Sequence, residues 1–141
     1  MKPMYKRLKI DNGLTSQSIA TGTKTGSFFG MQMYERALAI LNVGAMADTN
    51  TAKIEVLQAK DTSGTDAKAI EGATATITAS GSLTGGCAFI EINVSSLDIN
   101  NGFEYIAAKV TTTGTIVSGV TLLRGDGRFE PTQDALAYAS V

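Results

Sequence analysis

The chain has 141 residues, the size of one ordinary domain around a single core. Its 43% hydrophobic and 18% charged content excludes a disordered chain, and its net charge of −1 argues against a globally basic nucleic-acid binder. It has no His, no Trp and one Cys, which removes the commonest general base, a thiolate metal cluster and any intramolecular disulfide.

The charge is unevenly spread. Lys2, Lys6, Arg7, Lys9 and Lys24 stand against Asp11 alone in the first 25 residues, a net of +4, which leaves −5 on the remainder. MKPMYKRLKI runs into polar DNGLTSQS rather than into the apolar segment of a signal peptide. No stretch approaches the run of about 18 apolar residues that spans a bilayer. A soluble chain made in the cytoplasm, with no membrane partner, is expected. From Asp11 to Ser27 the Gly, Ser and Thr content is high and no period is sustained, so residues 1–27 read as an extended basic arm with a short strand near Leu14 to Ala20.

Residues 28–128 read as the folded body. FFGMQMYERALAILNVG allows two patterns: Met33, Ala37, Ile40, Leu41 and Gly44 would share a helix face, while Ala37, Ala39, Leu41 and Val43 would share a strand face. Its shortness and the turn signals NVG and ADTNT favour a strand at 34–43, apolar on both sides and so central and buried on both faces. Lys53 to Ala59 alternates with Ile54 and Val56 inward, and KDTSGTD supplies turn residues. Gly72 introduces a strand over Ala73 to Ser80. Cys87 to Val94 places Ile90, Ile92 and Val94 on one face. DINNG is a turn, Phe103 to Thr111 a strand, and Ile116 to Leu123 another.

Six or seven strands separated by turns, with no convincing helix, predict an all-β fold: an antiparallel β-sandwich or jelly roll. The tail, residues 129–141, is too short for independent structure and is expected to lie on a surface or on a neighbour.

Candidate chemistry is sparse. Asp48, Asp61, Asp66, Asp98 and Asp126 sit in turns, where short carboxylates cap the backbone. Glu91 and Glu104 lie on strands that could oppose each other as an acid and base pair. KDTSGTD has the oxygen-rich composition of a calcium loop but lacks the spacing and the closing Glu, so a solvated hairpin turn is the stronger reading. LTGG and GDG have no following Lys and Ser/Thr to make a phosphate cradle. Arg124, Gly125 and Asp126 spell an adhesion tripeptide at a strand exit. Cys87 reads as a small hydrophobe that starts a strand. No catalytic, cofactor or metal residue is expected, and an enzyme is the least favoured class.

Three stretches carry a resemblance: the apolar strand ending in NVG with its AMADTNT turn, TAKIEVLQAKDTSGTDAKAI, and GFEYIAAKVTTTGTIVSGVTLLRGDGRFEP. Together they resemble small structural proteins encoded beside the major capsid gene of tailed bacteriophages. The resemblance implies a virion protein, most plausibly a decoration or cement protein that binds the outside of the head, clamps major capsid protein subunits and forms a homo-oligomer, a trimer being favoured. It implies no cofactor and no specific nucleic acid. The attachment expected with it is the basic arm, with Lys2, Lys6, Arg7, Lys9 and Lys24 laid across an acidic capsid surface or into a neighbour's sheet edge. Two rivals are a head-to-tail or tail component and a carbohydrate-binding sandwich module.

Overall fold

Alternation of apolar and polar residues every second position is the dominant local signal, and the chain answers it with nine strands and only short 3-10 turns between them. The computed structural model describes residues 1–141. The strands are β1 (Leu8–Ile19), β2 (Gly22–Thr25), β3 (Phe29–Gly30), β4 (Arg36–Val43), β5 (Thr51–Ala59), β6 (Lys68–Thr78), β7 (Gly86–Asn93), β8 (Tyr105–Thr112) and β9 (Ile116–Gly125). They form two antiparallel sheets, one ordered β1-β9-β4-β7 and the other β2-β8-β5-β6, with β3 added on β8. The chain passes repeatedly between the sheets, staying within one only at β2–β3 and at the β5–β6 hairpin, and the first long strand pairs with the last. This is the connectivity of a jelly roll, as the strand pattern predicts.

The core lies between the sheets. Ala37, Ala39, Leu41 and Val43 of β4 and Val120 and Leu122 of β9 face Ala52, Ile54 and Val56 of β5 and Ile106, Ala108 and Val110 of β8. The facing side chains are small or branched aliphatics, so the layers approach closely without large aromatic rings. On the β1 and β2 side the sheets meet at glycines: a Cβ on Gly26 would collide with the carbonyl of Gly13.

Three expectations about the elements are corrected. The segment 1–27 is not a free arm, because β1 pairs with β9 from Leu8↔Gly125 to Ile19↔Ile116 and β2 pairs with β8. Register shifts at Asn12/Leu14 and Leu14/Gln17 reset the inside–outside alternation twice, which hides a twelve-residue strand from a period search. Gly72 does not open a strand. It sits at φ +78° within continuous β6, where the pairing with β5 jumps from Glu55↔Thr74 to Leu57↔Ala69. Finally, β4 is a strand and is central, but only one of its faces is buried; Leu38 and Ile40 lie half-exposed on the other.

The opening half of the β5–β6 hairpin behaves as its turn chemistry dictates. Asp61 accepts hydrogen bonds from the Ser63 and Thr65 amides at 2.9 and 3.1 Å and from Thr65 Oγ1 at 2.5 Å. Gly64 and Asp66 take the left-handed conformation at φ +79° and +56°.

Candidate functional site: two outer faces

A jelly roll has two outer faces, and here they differ. On the β2-β8-β5-β6 sheet, inward Ile54 and Val110 alternate with outward polar residues. One cross-strand row reads Thr23, Thr111, Lys53 and Thr76, and the next reads Thr25, Lys109, Glu55 and Thr74. Thr23 and Thr111 join hydroxyls at 3.0 Å, and Glu55 is bracketed by Lys53 and by Lys109 at 2.9 Å. Hydrogen bonds from Lys53 and then Lys109 hold the Glu55 carboxyl below its ordinary 4.5. This face is satisfied by its own neighbours.

On the β1-β9-β4-β7 sheet the outward rows carry an apolar patch among polar residues, one row ending in Glu91 and the next holding Asn12 and Thr121 beside Ile40 and Phe89. Ile10, Leu123 and Leu38 stand side by side, and Ile40 adjoins Phe89, which is 66% exposed. Leu8 extends the patch at one end, and Val117, 51% exposed, lies toward the other. The Leu8 end is bordered by Arg36, whose guanidinium reaches Glu91 at 3.5 Å and Asp126 at 3.4 Å. A shallow depression of about 270 Å³ there is lined by Leu8, Leu38, Leu123, Arg36, Glu91 and Asp126. Four strands at about 4.8 Å spacing and eight residues of about 3.3 Å give this face roughly 500 Å². No other strand covers it, and the tail borders its β1 edge, where Asp134, Ala135 and Leu136 line a pocket with Ile10, Asn12 and Thr121.

The predicted cations are dispersed. Lys2 and Lys6 reach Glu130 of the tail at 3.8 and 3.4 Å, and Arg7 is exposed beside them at the Leu8 end of the apolar face. Lys9 is buried and occupied by the tail, and Lys24 is exposed on β2 in the opposite sheet. The five therefore do not form one surface.

Other candidates resolve plainly. Arg124 points inward: Nε and Nη2 donate to Asp11 at 2.7 and 3.2 Å, Nη1 donates to the Gly30 carbonyl at 2.6 Å, and the guanidinium lies 4.7 Å from the Tyr34 ring. The tripeptide 124–126 thus presents no free arginine to a receptor. Glu91 and Glu104 are not brought together, since Glu91 is on β7 and Glu104 precedes β8 in the other sheet. The Asp61 carboxylate is taken up by its own loop, and Thr65 lowers its pKa. Cys87 is exposed rather than packed, because it takes the outward position next to Asn42. The apolar face is what the strand reading missed; the doubly apolar RALAILNV was its signal.

No protein-family model matches the chain, and no curated protein matches it. Among solved structures, the PBSX exported protein XepA aligns with a TM-score of 0.52 at 8% identity, over 100% of this chain and 44% of that one. The infectious bursal disease virus VP2 subviral particle aligns with a TM-score of 0.52 at 7% identity, over 87% of this chain and 33% of that one. The SPBc2 prophage-derived protein YomS aligns with a TM-score of 0.44 at 12% identity, covering 83% and 91%. The chain spans less than half of the first two proteins. At these identities the likeness is one of fold: an all-β, two-sheet sandwich.

Proposed function

We propose that the chain is a structural protein of a tailed-phage virion that binds the outer surface of the head and bridges major capsid protein subunits, as a decoration or cement protein. The observation that carries this reading is the apolar patch on the outside of the β1-β9-β4-β7 sheet, where Ile10 and Phe89 are exposed and Leu8, Leu38, Ile40 and Leu123 are partly so, set on a sandwich whose opposite face is a polar grid. The likeness in fold to the VP2 subviral particle supports the virion setting. The resemblance of its strand and turn segments to proteins encoded beside phage capsid genes supports the finer assignment.

The attachment works by area and repetition. The whole outer face, about 500 Å², is below the roughly 800 Å² per partner of a standard stable interface, so one copy holds weakly and copies joined in an oligomer hold by linked contacts on a repeating shell. Lys2, Lys6 and Arg7 at the Leu8 end suit a capsid surface that is apolar with an acidic border. Lys24, on the opposite sheet, takes no part.

The test is to mix the protein with heads of its own virus that lack it, pellet them, and count bound copies. Several hundred copies with a gain in heat resistance is the expected result. A handful at one vertex would make the chain a head-to-tail component, and no binding would overturn the virion reading.

A further inference from the structure

The tail is held by a set of contacts that only it can provide. The Lys9 side chain is 8% exposed, on the inward side of edge strand β1. Its ammonium donates to the Asp134 carboxylate at 2.5 Å and to the Thr132 carbonyl. With the tail docked the ammonium gives up water and gains these two acceptors, so its burial and the ion pair form together. Between them, the Gln133 side chain imitates a neighbouring strand: Nε2 donates to the Tyr5 and Leu8 carbonyls at 2.6 and 2.7 Å, and Oε1 accepts from the Ile10 amide at 3.1 Å. One side chain thus blocks the open edge of β1 at the point where another chain would otherwise pair.

Beyond this latch the tail has no cover. Leu136 and Val141 are fully exposed, and Tyr138 touches Tyr5 at a ring separation of 5.8 Å yet stays 74% exposed. The last main-chain anchor before it is the Arg128 amide on the Met33 carbonyl at 3.0 Å. Phe129, Glu130 and Pro131 connect that anchor to the latch, and Pro131 biases Glu130 toward extended backbone.

We infer that Thr132–Val141 is an exchange segment, and that in the assembled protein the latch of one copy docks on Lys9 and β1 of a second copy. Exchange keeps every latch contact, because the two docking sites are identical. It differs from the folded monomer in the course of the connector, whose Glu130 pairs with Lys2 and Lys6, and in covering Leu136, Tyr138 and Val141 between copies. The three-residue connector spans about 10 Å, so the partner's β1 lies beside the donor's own. The inference concerns self-association and stands whether or not the chain binds heads.

The experiment uses the full chain. Copies labelled with ¹⁴N and ¹⁵N are unfolded together, refolded, and treated with a carbodiimide, which joins a carboxylate to an amine in contact with it. Asp134 is 83% exposed and open to the reagent. Exchange gives Lys9–Asp134 linked peptides of which about half carry one light and one heavy partner. Like-labelled pairs alone overturn the inference. Sedimentation supplies a second readout: the full chain should be an oligomer and a chain ending at Ala135 a monomer. A monomeric full chain, or a shortened chain with unchanged mass, overturns it independently of cross-linking yield.

Discussion

The two outer faces of the sandwich rest on the same core, yet one is a grid of Thr, Lys and Glu and the other carries a patch of Ile, Leu and Phe among polar residues. Fold stability comes from what both share, the inward aliphatics. The outward residues are left to set what the protein meets. On the polar face Lys53, Glu55 and Lys109 pair across strands, and Thr23 and Thr111 join hydroxyls beside them. On the apolar face the charges are pushed to the rim, where Arg36 bridges Glu91 and Asp126. The difference teaches that an antiparallel sheet need not alternate apolar with polar to be stable in a sandwich. Where it fails to alternate, the surplus apolar side is a surface for contact.

The largest expected effects test whether the sheets are equal behind their faces. Leu41→Ala behind the apolar face and Ile54→Ala behind the polar one both truncate side chains with no exposure. Each should lower unfolding free energy by about 2–5 kcal/mol in denaturant titrations. A much smaller loss at either site would break the equivalence.

A charge on each face separates binding from folding. Leu38→Lys should reduce copies bound per head at least about tenfold, and Thr76→Lys should leave binding unchanged, with both variants within roughly 1 kcal/mol of the parent in stability. Equal loss from both would mean that the apolar face is not the contact.

The smallest effect concerns acid. The folded carboxyl of Glu55 is held below the 4.5 it has when unfolded, chiefly by Lys53 and then Lys109. Its stabilisation is therefore fully present above about pH 4.5 and is lost as pH falls through the lower folded value. Glu55→Gln should cost under about 1 kcal/mol at neutral pH, and the difference from the parent should vanish in strong acid. A difference that grows in acid would reverse the sign. Asp61 and Asp98 are lowered as well, by Thr65 and by Lys68, and contribute the same background to both proteins.

Strands β5, β7, β8 and β9 were legible because each keeps one unbroken alternation, as in Ile54 and Val56 or Ile90 and Ile92. The polar turn after Lys60 was legible because Asp and Gly supply their own backbone bonds. β1 was not, since its first register shift moves Leu14 out of phase with Lys9 and Asp11 and its second returns Ile19 to their phase. The arm was accordingly read as a detachable binding element. Its deletion would instead strip β9 of its partner, and with it Asp11 from Arg124. The half-exposed Leu38 and Ile40 were read as buried because an apolar residue on a strand carries no mark of whether a second layer covers it.

The amino-acid sequence by itself determined the strand class, most of the turns and the inward rows, since these depend on period, on glycine conformation and on neighbours a few residues away. The tertiary structure decided which face stays open, that the first strand joins the last, and that Lys9 meets Asp134 across 125 residues. Those outcomes depend on pairing between segments remote in the chain, where the closure of long loops and the burial of whole faces outweigh any local pattern.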